Sequence, residues 1–136
     1  MADAAGHRLL FDTGADGQIL LADMNKLGIT PATVEAVVVP HNHWDHTGGL
    51  ESLLPRCSAQ CYVPASAAAA LGARIEKAGG TSVPVANRIE IWPGVWLTGE
   101  LAEGIKEQFL VVETVRTLGA RIGVVLNRAD IGSDET

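Results

Sequence analysis

Short apolar runs alternate along the chain with longer stretches whose apolar residues recur every three or four positions. Residues 7–12 read as a strand, and Thr13-Gly14-Ala15-Asp16-Gly17 as a turn. Residues 18–27 place Ile19, Leu20, Ala22, Met24 and Leu27 at helical spacing, with Gly28 as the stop. Thr30 before Pro31 predicts a short helical turn over 31–35. Val37-Val38-Val39 is continuous, apolar and β-branched, which predicts a buried strand. Residues 50–54 predict a helix that Pro55 closes. Residues 61–63 predict a strand, and the alanine-rich stretch 64–77 a helix with Leu71 and Ile75 inward and Gly79-Gly80 as its end. Strands are expected over 82–85, 88–91, 95–98 and 109–112, with a turn at Pro93-Gly94. Residues 1–6 read as a loose start. Beyond residue 113 a helix over 114–118, a stop at Gly119 and a strand over 122–126 follow. The alternation of strand and helix predicts an α/β (α+β) fold, a mixed sheet with flanking helices. No internal repeat is evident.

The polar residues after the 37–39 strand change the picture. The order is Pro40-His41-Asn42-His43-Trp44-Asp45-His46-Thr47-Gly48-Gly49, so three of the four histidines fall within six residues. Imidazole and carboxylate together suit zinc, iron or manganese. If the chain stays extended past the strand, His41, His43 and Asp45 at i, i+2 and i+4 share one side. His46 is out of phase and joins them only if the chain turns near Thr47-Gly48-Gly49. This predicts two adjacent metal positions, one on His41 and His43 and one on Asp45 and His46, with ions about 3.5–4 Å apart. Asp45 is also the candidate catalytic proton acceptor. The competing reading is a run of surface histidines with adventitious affinity.

His-x-His-x-Asp-His behind a hydrophobic strand resembles the metallo-β-lactamase fold superfamily of metal-dependent hydrolases. Leu9-Leu10-Phe11-Asp12-Thr13-Gly14 resembles the strand and turn before its first helix. Residues 95–100 and 105–112 resemble later strands of the branch similar to the dihydropterin ribofuranosylaminobenzene phosphate synthases. The resemblance covers about residues 7 to 113 and implies a partial αββα fold. It implies zinc, two ions in the complete site, and a metal-activated hydroxide acting on a small molecule, with a phosphate or pterin-like group as the leading class. It gives Asp12 a supporting role behind the metal loop. It brings the loop 99–108 near the metal mouth, where Lys106 or Gln108 could touch substrate, with an ordinary solvated loop as the equal alternative for both.

The resemblance stops after Glu113. Superfamily members go on to a third metal-binding histidine, a bridging aspartate and a last histidine, yet no histidine follows His46 here. His7, the fourth, matches no ligand position. The opening strands of such domains are also missing before residue 7. The chain is therefore read as a truncated domain over residues 1–113 with a divergent tail over 114–136. Residues 115–134 resemble the base-recognition region of MinD-like ATPases, although the chain has no phosphate-binding P-loop. Glu100, Glu103, Glu107 and Glu113 are conceivable replacement ligands, and a partner chain is another source. Two functions stay open: a metal-dependent hydrolase, or an inactive fragment or interaction module with weak residual metal affinity.

Composition narrows the partners. Hydrophobic residues make up 47% and charged residues 19%, which suits a globular domain. The net charge of −6 disfavours nucleic acid. No apolar run reaches transmembrane length and the start lacks a secretory core, so no membrane partner and a cytoplasmic location are expected. Cys57 and Cys61 read as free thiols. Exposed sheet edges in a partial domain favour a homo-oligomer.

Overall fold

In a computed structural model, residues 2–4, 7–101 and 107–112 are described. The strands are β1 (Ala2–Ala4), β2 (His7–Phe11), β3 (Ala36–Val38), β4 (Gln60–Pro64), β5 (Thr81–Val85), β6 (Ile89–Trp92), β7 (Val95–Leu97) and β8 (Leu110–Val112). The helices are α1 (Gly17–Lys26), α2 (Trp44–Thr47), α3 (Leu50–Cys57) and α4 (Ala68–Ala78), with 3-10 turns at Pro31–Thr33 and Ala65–Ala67. A five-stranded sheet runs β1-β2-β3-β4-β5 and a three-stranded sheet runs β6-β7-β8. β1 is antiparallel to β2, while β2 through β5 are parallel. The smaller sheet is antiparallel throughout.

Alternation along the central strands explains the layering. Leu10, Val37, Cys61 and Val63 point to one face, where Leu20 and Met24 of α1, Leu50, Leu53 and Leu54 of α3, and Leu71 and Ile75 of α4 cover them. Leu9, Ala36, Val38 and Tyr62 point to the other, against Val95 and Leu97 of β7. Val37 and Val38 are therefore both fully buried although they face opposite ways. A strand covered on both faces reads as an unbroken apolar run, which is what Val37-Val38-Val39 is. The layers are helix, sheet, sheet.

Several expectations shift. Residues 2–4 form a strand paired with β2, not a loose start. β3 begins one residue early, at Ala36. The turn expected over 31–35 is a 3-10 turn of three residues. Pro55 lies inside α3, which continues to Cys57 and ends at Ser58 in the left-handed conformation (φ 53°). A proline forfeits one helical donor, and the buried Leu53 and Leu54 on the inner face outweigh that loss. The alanine-rich helix starts late because Pro64 ends β4, in register with Val85. Gly28 (φ 71°) and Gly79 (φ 106°) end α1 and α4 as expected. Cys57 and Cys61 are free, and burial pushes the Cys61 thiol up to about 12. His7 stacks on Trp92 with ring centroids 4.7 Å apart and pairs with Glu35, so it ties the two sheets together away from the other histidines. The helix and strand expected beyond residue 113, and the tail resemblance, lie outside the described residues.

Candidate metal centre

β2 and β3 are parallel, with Phe11 in register with Val38, so the residues that follow them emerge side by side. Asp12 follows β2 at a positive φ of 73°, a conformation costly for most non-glycine residues. Its N–H donates to the Val38 carbonyl (2.8 Å). One carboxylate oxygen accepts from the Gly14 N–H at 2.8 Å. The other pairs with His46 Nδ1. Thr13 Oγ1 donates to the His46 carbonyl (2.7 Å) and accepts from the Gly49 N–H (3.1 Å). The Asp-Thr-Gly turn thus clasps both ends of the segment from His46 to Gly49.

The histidine loop does not stay extended. His43 is the N-cap of α2, and its carbonyl accepts from the His46 and Thr47 N–H groups at 2.9 and 3.0 Å. The chain turns at His43, before Thr47-Gly48-Gly49, so strand phase is not what gathers the ligands. The helical turn brings Asp45 back toward the two preceding histidines instead. One ligand atom from each of His41, His43 and Asp45 lies within 4.8 Å of the others, a group able to hold a cation. The His41 and His43 rings meet edge to face with centroids 4.6 Å apart, and His41 and His46 at 4.1 Å. His46 presents Nε2 at 3.6 Å from Asp45 Oδ2, so it faces the same space.

Burial differs across the group. His41 is 9% exposed, whereas His43 lies open and Asp45 is half-buried. Burial, reinforced by His46, pushes the His41 pKa below the usual imidazole value, while Glu107 pulls it back. A lowered value keeps the ring neutral, the form that coordinates metal. His41 Nδ1 is buried without a hydrogen-bond partner. The three convergent donor atoms of His41, His43 and Asp45 fit a site for a cation, and the imidazole and carboxylate set suits zinc.

The expected substrate contact at Gln108 is overturned. Gln108 is fully buried, and its side-chain amide donates to the carbonyls of Val39 and Tyr62, both at 2.9 Å. It is a structural tie between the sheets. Lys106, Glu103 and Glu113 lie outside the described residues. Glu100 binds the Ser66 N–H at the start of the 3-10 turn before α4. Of the two described glutamates among these four, Glu107 stands beside the histidines, with Oε1 3.0 Å from His41 Nδ1. Sequence reasoning did not single out Arg74, which donates to the Thr47 carbonyl (3.1 Å) and to both Glu51 oxygens (2.7 Å each). It fastens α2 to α3 from α4, and an arginine on an amphipathic helix gives no hint of that reach.

Known proteins resemble this arrangement. A 7,8-dihydropterin-6-methyl-4-(β-D-ribofuranosyl)-aminobenzene-5'-phosphate synthase from Methanocaldococcus jannaschii is 28% identical over 121 residues, covering 75% of this chain and 41% of that protein. A hydroxyacylglutathione hydrolase from Methylobacillus flagellatus is 40% identical over 60 residues, covering 44% of this chain and 22% of that protein. A ribonuclease Z from Pyrobaculum neutrophilum is 41% identical over 54 residues, 40% of this chain and 18% of that protein. The chain thus spans less than half the length of these relatives. The Rm3 metallo-β-lactamase superposes with a TM-score of 0.62 at 20% identity, covering 84% of this chain and 49% of that one. An N-acyl homoserine lactone lactonase superposes with a TM-score of 0.62 at 19% identity, covering 84% and 54%. The likeness to the synthase supports the branch read from residues 95–112. The family model of the β-lactamase superfamily domain matches residues 7–105, from the start of β2 to beyond β7, and the chain belongs to that superfamily.

Proposed function

We propose that the chain forms the metal-binding portion of a hydrolase, with His41, His43 and Asp45 holding a divalent ion and Asp45 and His46 facing a second position. The convergence of the three ligand atoms within 4.8 Å carries this reading. Zinc is the leading metal for these donors, and iron and manganese are also accommodated. When bound, such ions acidify a water and polarise a carbonyl, phosphoryl or thioester centre. The protein's own residues do the remaining work. Neutral His41 offers its lone pair without first losing a proton. Asp12 fixes the His46 tautomer and ring plane. Asp45, on the open side, is placed to accept the proton of the attacking water.

The substrate we infer is a small molecule carrying a phosphate or pterin-like group. The match to the M. jannaschii synthase supports that class. A net charge of −6 gives no general attraction for nucleic acid. Free thiols suit a cytoplasmic location. Residues 1–113 would be the domain and 114–136 a separate tail.

Metal analysis of the full chain after gel filtration tests this. The native chain should retain about one ion or more against mild chelation. The His41→Ala/His43→Ala variant should lose it, together with turnover of phosphodiester and thioester model substrates. A double variant that keeps its metal defeats the reading.

A further inference from the structure

Each imidazole that binds metal has two ring nitrogens, and what the second one touches decides which lone pair faces the ion. For His46 the second partner is plain: Nδ1 pairs with Asp12, from the turn after β2. For His41 the comparable contact comes from elsewhere in the fold. Oε1 of Glu107, just before β8, stands 3.0 Å from His41 Nδ1. The distance suits an ion pair, but the line of approach misses that of a hydrogen bond, and Nδ1 is buried with no other partner. A buried ring nitrogen left orphaned costs about 1–3 kcal/mol, so a small ring rotation onto the carboxylate is favoured.

Glu107 does not reach this point by chance. The Gln108 N–H donates to the Pro40 carbonyl at 2.9 Å, one residue before His41. The Gln108 side chain binds the Val39 and Tyr62 carbonyls. The neighbouring residue is thereby held against the start of the histidine loop. The Glu107 carbonyl in turn accepts from the Leu101 N–H at 2.9 Å.

We propose that Glu107 is a positioning residue for the metal pocket: its carboxylate takes the Nδ1–H of His41 and leaves Nε2 as the ligating nitrogen. The pocket is then braced by two carboxylates, Asp12 behind His46 and Glu107 behind His41. Gln108 sets the second brace. This inference rests on the metal reading above for its consequence, but not for its contact.

Long-range 15N–1H spectra of the histidine rings in the metal-free full chain read the contact directly. The native chain should show His41 as the Nδ1–H tautomer. In Glu107→Ala the ring should move toward the Nε2–H form that water favours, with the His46 signals unchanged. Glu107→Gln retains an acceptor oxygen and should keep the native tautomer. Zinc affinity, measured by competition with a chromophoric chelator, should fall about 10–100-fold in Glu107→Ala and recover in large part in Glu107→Gln. His41 carrying its proton on Nε2 in the native chain would overturn the proposal, even if Glu107→Ala fails to fold. An unchanged tautomer or unchanged zinc affinity in Glu107→Ala would overturn it as well. A native chain with the Nδ1–H tautomer that binds no zinc would instead defeat the metal reading and leave the contact standing.

Discussion

The turn after β2 meets the histidine loop through many short main-chain and side-chain contacts, whereas the segment before β8 meets it through Gln108 and the Glu107 carboxylate. In the first region Asp12 and Thr13 bind His46 and Gly49 from adjoining parallel strand ends. In the second, Gln108 reaches from just before β8 to Val39, Pro40 and Tyr62. The first region is braced redundantly and sets the shape of α2. The second hangs on these two adjoining residues and adjusts His41 alone. Overpacking the first should disrupt the loop as a whole, whereas loss of a carboxylate from either should loosen one ligand while the others stay.

The largest effect is expected where the first region leaves no room. A Cβ on Gly48 would stand 2.0 Å from the Ala15 carbonyl oxygen, a backbone atom that cannot swing away. Gly48→Ala should therefore cost about 3 kcal/mol or more by urea denaturation, at the top of the usual range for overpacking. Retention of native stability would show that the two turns are not wedged together. Next, Asp12→Ala removes the partner of His46 Nδ1 and of the Gly14 N–H. Zinc affinity should fall about 10–100-fold, with His46 ring signals moving and those of His41 unmoved. Equal shifts in both rings would dissolve the distinction between the two braces.

Gln108→Leu comes third. It leaves the buried Val39 carbonyl without the amide donor, a loss of about 1–3 kcal/mol readable by thermal unfolding. The Tyr62 carbonyl keeps the Val39 N–H at 3.0 Å, so the damage should stop there. The smallest effect lies at Arg74. Its hydrogen bonds hold the Glu51 carboxyl below the usual carboxylate range. A carboxyl lowered in the folded state stabilises the fold above its unfolded pKa, and that stability is lost as pH falls through the lowered folded value. Glu51→Gln should thus cost under about 1 kcal/mol near neutral pH, for both groups are largely exposed, and nothing once the acid range is passed.

What could be read from residues alone follows the same division. The strand Val37-Val38-Val39, the Asp-Thr-Gly turn and the clustered histidines are local signals, and each lies where its chemistry suggested. A mixed sheet with flanking helices followed from strand and helix alternation, and the parallel order of β2 through β5 did not. The route by which Asp45 joins His41 and His43 did not. An extended loop and a helical turn both gather these residues, and only the capping of α2 by His43 decides between them. Gln108 looked like a loop residue because its partners, Val39 and Tyr62, are main-chain carbonyls 69 and 46 positions away. Carbonyl acceptors carry no sequence signature. Glu107 was one acid among four until the tie at Gln108 placed it beside His41.

A crystal of the full chain soaked in zinc, with anomalous scattering recorded on both sides of the zinc edge, tests the central claim most directly. The account predicts a peak bounded by His41, His43 and Asp45, within about 2.0–2.2 Å of their donor atoms. Zinc held only elsewhere, for instance by His7 and Glu35 at the far end of β2, would contradict it.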